Sequence, residues 1–195
     1  MHDPKKSYMD VVERVSRYLK SALGKDLLFS NHDHLKVKGY TGANWTGSAD
    51  DKRFIASYFT FVGENLVILR SKKQQVVARL SAEAKFRGMT VGIYELLWIK
   101  SLLKDIAYEQ KDAMKLYCDN KSAIEIANNP IQHDRTKHVK INKHLIKVKI
   151  EDGIIVFPFV KSEQQLANML TKAISSKALS SSLDKLGMCD IHAPT

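Results

Sequence analysis

The chain has 195 residues, of which 44% are hydrophobic and 27% are charged, and its formal net charge is +10. This length and composition fit one folded domain with an appendage and exclude an intrinsically disordered chain. The positive charge favours a polyanionic partner, nucleic acid before membrane, although a basic surface that only keeps the protein soluble is the alternative.

The two cysteines, Cys118 and Cys189, form no Cys-x-x-Cys pair, which favours a reducing compartment. The first residues contain no apolar stretch typical of a signal peptide, and apolar stretches such as 154–160 are too short to span a bilayer. We therefore expect an intracellular protein, cytoplasmic or nuclear, without a membrane partner.

Residues 7–21 predict a helix, because four apolar residues recur at i, i+4, i+7 and i+11 along one face. These residues are Tyr8, Val12, Val15 and Leu19. A polar linker over 30–34 follows the helix. Three strands are then predicted, with a hairpin connection at 63–65 between the last two. The three strands cover residues 35–45, 53–62 and 66–71.

Over 79–105 the apolar residues have the spacing of a helix. Its inward face is predicted to carry Ile93, Leu96, Leu97 and Leu103. Further strands are predicted over 114–118 and 154–160. Helices are predicted over 120–127, 136–151, 162–173 and 177–186. Three antiparallel strands followed by two strands in α/β units predict an α/β fold, a mixed five-stranded sheet flanked by helices with an amino-terminal helical appendage.

Asp119 directly follows the predicted strand over 114–118 and precedes a predicted helix. An acid at the carboxyl end of a strand is where α/β folds place metal-binding carboxylates, although an aspartate before a helix is also a common N-cap. One carboxylate does not hold a catalytic metal ion, so the position of its companions decides whether the protein is an enzyme.

Motifs along the whole chain resemble those of one family. They include Gly39-Tyr40-x-x-Ala43-x-Trp45-x-Gly47, Asp51-Lys52-Arg53, Arg70-Ser71-Lys72-Lys73-Gln74, Ser81-Ala82-Glu83-Ala84, Glu95-Leu96-Leu97-Trp98, Leu116-Tyr117-Cys118-Asp119-Asn120-Lys121, His133-Asp134-Arg135-Thr136-Lys137-His138 and Gln165-Leu166-Ala167-x-Met169-Leu170-Thr171-Lys172. The chain resembles the ribonuclease H domain of a plant copia-type retrotransposon Pol polyprotein, with the segment that connects it to reverse transcriptase. The resemblance implies a connection segment over 1–34, a ribonuclease H-like domain over 35–175, and a carboxy-terminal helix and tail over 176–195.

The resemblance also implies an activity, cleavage of the RNA strand in RNA–DNA hybrids by two divalent metal ions held by four carboxylates. Mg²⁺ or Mn²⁺ is the cofactor expected for the family. Two such ions about 4 Å apart need clustered acids, because only several carboxylates neutralise that much positive charge.

The chain keeps one of these four acids. At the family's first-strand acid it has Gly42, with Asn44 at the next acidic position, and in the later helix it has Asn168. At the start of the long helix the acid is replaced by Lys85, and Asp119 alone is retained. We expect the Lys85 ammonium to pair with Asp119 within about 6 Å, and the domain to be catalytically inactive.

Other acids offer two alternatives. Glu83 lies two residues before Lys85 and points to nearly the opposite side of a helix, so it serves only if the register differs by two. Asp50 and Asp51 lie past the first strand and are interpreted as solvated turn residues. Asp119 is therefore the remaining candidate metal ligand.

Candidate nucleic-acid contacts are Lys72, Lys73, Asn120, Lys140, Lys143 and Lys147. The last three, with His144, fall on one face of the predicted helix over 136–151 and resemble a stripe that follows a phosphate backbone, although a solvated outer face explains them nearly as well. Zinc binding is disfavoured, because no cysteine accompanies the dispersed histidines. Trp45 and Trp98 are predicted to lie in the core.

The sequence therefore predicts a nuclease-inactive ribonuclease H-like domain that binds RNA–DNA hybrid or other nucleic acid through its basic surface. One alternative is an active metal-dependent ribonuclease that uses Glu83 and Asp119 with Mn²⁺. A second alternative is a protein-interaction scaffold built on the amino-terminal helix. This helix, with its apolar face, folds back on the domain, self-associates or stays mobile, and the sequence leaves these three possibilities open.

Overall fold

The computed structural model describes residues 6–21, 24–44, 53–78, 81–128 and 137–191. Its helices are α1 (Lys6–Ser21), α2 (Ser81–Asp105), α3 (Lys121–Asn128), α4 (Lys137–Glu151) and α5 (Ser176–Lys185). Its strands are β1 (Lys25–Leu27), β2 (Val37–Asn44), β3 (Arg53–Val62), β4 (Asn65–Val77), β5 (Met114–Cys118), β6 (Ile155–Val156) and β7 (Met188–Asp190).

The main sheet has five strands in the order β4-β3-β2-β5-β6. Strands β2, β3 and β4 run antiparallel, whereas β5 is parallel to both β2 and β6. Thr41 of β2 is in register with Cys118 of β5. Gly42 and Asp119 follow these two residues along the chain. They therefore lie side by side near the carboxyl ends of β2 and β5.

The two faces of this sheet carry separate apolar clusters. On one face α2 packs over the sheet, and Phe86, Met89, Ile93 and Leu96 meet residues of β2 and β5. On the other face Phe59 and Phe61 of β3 pack against the segment around Leu166 and against Leu186 at the end of α5. Alternating side chains of β3 thus build both halves of the core, as expected for a central strand.

The two ends of the described chain meet in a second, two-stranded sheet. Strand β1 pairs antiparallel with β7, and Ile191 N donates to Gly24 O at 2.8 Å beyond the ladder. The sequence pattern did not predict either strand, because three-residue strands lack a readable period. This ladder joins the predicted connection segment to the predicted carboxy-terminal tail.

The predicted fold class is confirmed, but one predicted strand is shorter than expected and one predicted helix is wrong. The strand over 154–160 is regular only at Ile155–Val156, because Pro158 offers no N–H for a continuing ladder. The helix over 162–173 is instead two short 3₁₀ turns, Ser162–Gln164 and Leu166–Leu170, which are separated by extended backbone at Gln165. The Gln165 side chain donates to Tyr117 O at 3.0 Å and accepts from Ala167 N, which holds this break in place.

Other elements differ in length or burial. Strand β4 continues to Val77, six residues beyond the prediction. Trp98 was predicted to be in the core, but its side chain is 57% exposed on the outer side of α2, and Leu97 is only partly buried. Trp45 lies outside the described residues. Among the helices that the structure describes, none has the length and apolar character needed to cross a membrane.

Candidate functional site

Asp119 lies at the junction between β5 and α3, as the sequence pattern predicted. Asn120 is the N-cap of α3, because its Oδ1 accepts a hydrogen bond from Ala123 N at 2.7 Å. The alternative in which Asp119 caps the helix is therefore wrong, and the Asn120 side-chain oxygen is already engaged within the protein. Asp119 is left to face the start of α2.

The predicted ion pair is present in the structure. Lys85 lies in the second turn of α2, and its Nζ donates to Asp119 Oδ1 at 2.6 Å. The two side chains are only 8% and 3% exposed. At this depth the charges are poorly screened by solvent, so the ammonium neutralises the carboxylate almost completely.

The second oxygen of Asp119 is also occupied. Ser162 Oγ donates to Asp119 Oδ2 at 2.8 Å, and Asn168 Nδ2 donates to the same oxygen at 3.2 Å. Asn168 Nδ2 also reaches Ser162 O at 2.9 Å, which links the two 3₁₀ turns to each other. The carboxylate thus accepts hydrogen bonds from three protein side chains on three separate segments.

The environment of Asp119 sets the direction of its pKa shift. Burial is the largest influence and by itself raises the pKa. The hydrogen bond and the charge of Lys85, with the hydrogen bonds from Ser162 and Asn168, together outweigh burial and hold the pKa below its ordinary value. Asp119 is therefore ionised at neutral pH, and its charge is satisfied inside the protein.

The neighbouring Cys118 is not a reactive group. Burial raises the pKa of its thiol to about 11, so the side chain is neutral at physiological pH. Cys118 is accordingly part of the core below Asp119.

Gly42 lies beside Asp119 at a position where an added side chain would be crowded. A Cβ atom at this position would stand 3.0 Å from the Cβ of Ala167 and 3.2 Å from Ser57 Oγ. Ser57 Oγ donates to Ala167 O at 2.9 Å and fixes this contact. Asn44, the second position at which the resemblance implies an acid, donates to Thr171 O at 2.6 Å. The segment over 166–171 therefore occupies the space above β2.

These residues do not fit a pair of divalent cations. Such ions require several anionic oxygens, whereas Asp119 is the single carboxylate that the described residues bring to this site, and an ammonium already lies against it. Asn168 Oδ1 is buried and accepts no hydrogen bond from the described residues, but one neutral oxygen does not replace three carboxylates. Across the described ranges, no cluster of three or more His, Cys, Asp or Glu is placed to hold a metal ion.

Glu83, the alternative acid, is paired with a basic residue of its own helix. Its Oε1 accepts hydrogen bonds from Arg87 Nε at 3.1 Å and from the terminal guanidinium nitrogen at 2.9 Å. This pair lies one turn apart along α2, so Glu83 is committed to a partner on its own helix. Asp50 and Asp51 lie outside the described residues.

The predicted basic contacts separate into two groups. Lys72 and Lys73 are exposed on β4, and the ladders align them through β3 with Ala43 and Asn44, at the same end of the sheet as Asp119. Lys143, in contrast, is buried at 7% exposure, so it does not share an exposed face with Lys147 as the spacing predicted.

The other residues of the predicted stripe on α4 lie differently from one another. Lys147 is exposed and lies 3.5 Å from Glu151. The Lys140 side chain lies outside what the structure describes. Sequence reasoning also missed Ser162, which contacts Asp119 directly; a serine near the start of a presumed helix gave no signal of this role.

Comparison with known proteins places the chain among transposon-encoded proteins. It is 31% identical over 188 residues, 96% of its length, to the retrovirus-related Pol polyprotein from transposon RE1 of Arabidopsis thaliana. It is also 31% identical over 189 residues to the corresponding polyprotein from transposon TNT 1-94 of Nicotiana tabacum. The chain spans only 13% and 14% of these two relatives. A search of protein-family models finds no match.

Solved structures agree on the fold. LC11-RNase H1, isolated from compost, has a TM-score of 0.51 and 14% identity, covering 76% of this chain and 98% of that one. The structure of LC11-RNase H1 in complex with an RNA/DNA hybrid gives a TM-score of 0.51 at 12% identity, covering 74% of this chain and 99% of that one. At this identity the likeness establishes the shared fold alone.

Proposed function

We propose that this chain is a nuclease-inactive domain that binds RNA–DNA hybrid or other nucleic acid. The chain belongs to the retrovirus-related Pol polyproteins of plant copia-type transposons and has the ribonuclease H fold. The chain corresponds to a small part of those polyproteins, so the proposal concerns this domain and not the whole protein. The division into 1–34, 35–175 and 176–195 is part of the same proposal.

The observation that carries the proposed inactivity is the contact between Lys85 Nζ and Asp119 Oδ1 at 2.6 Å. Two divalent cations would bring four positive charges to a place that holds one carboxylate and one ammonium. Electrostatic repulsion by Lys85, and the lack of other anionic ligands, oppose binding of Mg²⁺ or Mn²⁺. We therefore infer that the cofactor of the family is not productively bound here.

The proposed binding of nucleic acid rests on charge and position. The chain carries ten more positive than negative charges, and Lys72 and Lys73 lie exposed at the same end of the sheet as Asp119. Phosphate contacts by lysine act without metal ions, so binding can persist where cleavage is lost. LC11-RNase H1, which shares the fold, has been solved in complex with an RNA/DNA hybrid. Free cysteines at Cys118 and Cys189 are consistent with the proposed cytoplasmic or nuclear location.

The binding test is fluorescence anisotropy of a labelled RNA–DNA hybrid as a function of salt concentration. We expect Lys72→Glu/Lys73→Glu to weaken binding by roughly tenfold or more and to lower the salt dependence by about two phosphate contacts. The matched control is Lys104→Glu/Lys111→Glu, which makes the same charge change on exposed lysines at the opposite end of the sheet.

Equal losses in the two double variants would show that only net charge matters and would overturn the assigned surface. If the unaltered chain does not bind the hybrid at low salt, the binding proposal is wrong.

A further inference from the structure

The sheet face opposite α2 holds a polar cavity beside β5. Side chains alternate along β5, so Met114 and Leu116 join the cluster under α2, while Lys115 and Tyr117 point to the other face. The cavity has a volume of about 400 Å³, which lies in the usual range of small-molecule sites. Its polar lining consists of Lys36, Lys38, Glu64, Gln110, Asp112 and Lys115.

One buried oxygen of this lining accepts no hydrogen bond from the described residues. Gln110 is 7% exposed, and its Nε2 donates to Asp112 O at 3.1 Å. This bond fixes the orientation of the amide, because the reversed amide would set two acceptor oxygens against each other. Gln110 Oε1 is thus a buried acceptor without a donor. An unpaired buried acceptor is unfavourable, so this wall of the cavity favours a ligand that carries an N–H or O–H group.

The charges of the lining favour an anionic ligand, because three lysines face two carboxylates. Lys36 Nζ lies 2.9 Å from Asp112 Oδ2, and Lys38 pairs with Glu64. Lys115 is exposed and forms no ion pair with the residues that the structure describes. Ion pairs at a solvent-accessible surface contribute little, so Lys36 and Lys38 can turn toward a bound anion at a small loss.

Tyr117 supplies an aromatic wall to the cavity. The ring of Tyr40 stacks on it with centroids 4.8 Å apart and planes inclined by 18°, which holds Tyr117 in place. Tyr117 lines the cavity and Tyr40 does not, so the ring surface toward the cavity is one that Tyr40 leaves uncovered. Val156 of β6 extends this apolar wall. A planar ring can pack there, as nucleobases do on aromatic side chains.

We propose that this cavity binds a nucleotide through its phosphate and its base together. The phosphate lies against Lys115, and Lys36 and Lys38 turn toward it. The base packs on Tyr117, and one of its N–H groups donates to Gln110 Oε1. Every common nucleobase carries an N–H donor, so the site takes a nucleotide without requiring one particular base.

This site is separate from the surface proposed for the hybrid. Lys38 lies near the start of β2, whereas Lys72 is aligned through β3 with Ala43 near its end. The bases of a hybrid are stacked and paired, so none of them is free to pack on Tyr117 and reach Gln110. The inference therefore goes beyond the proposed function, and the two kinds of binding are measured separately.

The test is isothermal titration calorimetry of the full chain with adenosine 5′-monophosphate (AMP). We expect saturable binding with a dissociation constant below about 1 mM. Adenosine, which lacks the phosphate, and ribose 5-phosphate, which lacks the base, should each bind roughly tenfold more weakly or worse, because each keeps only part of the contacts. Inorganic phosphate at a concentration equal to that of AMP should not displace it.

Two variants test the assigned contacts. Lys115→Glu should weaken AMP binding by about tenfold or more, whereas the matched control Lys104→Glu should leave it within about threefold. Lys104 is also exposed, and it lies on α2 outside the cavity. Gln110→Met removes the acceptor at similar volume and should weaken AMP binding by about fivefold. Urea unfolding checks that this buried substitution is tolerated, and Lys115→Glu keeps the test decisive if it is not.

A short single strand distinguishes the two sources of a nucleotide. An adenine tetranucleotide that binds at least as tightly as AMP supports a site for a nucleotide within a strand. Weaker binding of the tetranucleotide supports a site for a free nucleotide.

Three results would overturn the site. The first is a parent chain that does not bind AMP up to about 5 mM. The second is adenosine or ribose 5-phosphate that binds as tightly as AMP, because the base and the phosphate are then not recognised together. The third is an equal loss of AMP binding in Lys115→Glu and Lys104→Glu, which would show that only net charge matters.

Discussion

The Lys85 ammonium neutralises Asp119 from within the protein, so the buried carboxylate is stable without a metal ion. The pair is nearly inaccessible to solvent, and Ser162 and Asn168 complete the hydrogen bonds of the carboxylate. Breaking a buried pair by removing one partner is costly, because the other charge is left uncompensated. The residues that make the site unfit for metal ions therefore also hold three segments of the chain together.

Lys85→Met should lower the free energy of unfolding by about 3–5 kcal/mol, because Asp119 is left buried without a cation. Lys85→Met/Asp119→Asn, which removes both charges, should recover most of that loss. Arg87→Met is the matched control on the same helix, since its pair with Glu83 is more exposed and should contribute less. Urea unfolding gives all four values; a Lys85→Met protein as stable as the parent would contradict the account of the pair.

The depressed pKa of Asp119 predicts a loss of stability in acid. A carboxyl group whose folded-state pKa lies below its unfolded value contributes stability above the unfolded value, and that contribution is lost as the pH falls through the folded value. The unfolded value is about 4, so the stability difference between the parent and Lys85→Met/Asp119→Asn should be constant near neutrality and shrink below about pH 4. Urea unfolding at a series of pH values measures this difference, and a difference independent of pH down to 2 would refute it.

At the scale of elements, the site differs from the family pattern in more than its replaced acids. The two 3₁₀ turns over 162–170 also fill the space around Asp119. They place Ser162 and Asn168 on Asp119 and press Ala167 against Gly42. A side chain at position 42 therefore meets the Cβ of Ala167 and the Oγ of Ser57. An acid at position 42 would press against this segment as well as add charge.

Gly42→Ala tests that contact. The added Cβ would stand 3.0 Å from the Cβ of Ala167, so we expect a loss of roughly 1–3 kcal/mol in the free energy of unfolding. Gly42→Ala/Ala167→Gly removes the opposing Cβ and should recover part of the loss. Thermal or urea unfolding of the three proteins gives the comparison, and an alanine at position 42 that is neutral or stabilising would show that the segment yields easily.

Some elements of the fold could be predicted from the sequence and others could not, for physical reasons. The sequence predicted the bounds of β3, and it predicted which face of α2 carries Ile93 and Leu96. In long segments the spacing of apolar residues repeats several times, so the pattern is clear. The ion pair of Lys85 and Asp119 followed from the motif positions and the opposite charges. The break at Gln165 did not, because it depends on a side chain that bonds a distant strand, a tertiary effect with no local signature.

At the scale of the whole molecule, the chain is a ribonuclease H fold with additions at both ends that pair with each other. The β1–β7 ladder links residues 25–27 to residues 188–190, so the segments outside the central fold are connected to each other. The basic end of the sheet, with Lys72 and Lys73, lies apart from exposed apolar side chains of α2 such as Trp98 and Leu102.

Cleavage of a labelled RNA–DNA hybrid by the purified chain, in Mg²⁺ and in Mn²⁺, tests the central claim most directly. The control is Asp119→Asn, prepared in parallel, which removes the Asp119 carboxylate and reveals any contaminating nuclease. We predict no metal-dependent cleavage by either protein, because Lys85 already neutralises Asp119 and the other three acid positions of the family hold Gly42, Lys85 and Asn168. Cleavage by the unaltered chain that requires the metal ion and stops in Asp119→Asn would contradict the account and identify an active ribonuclease.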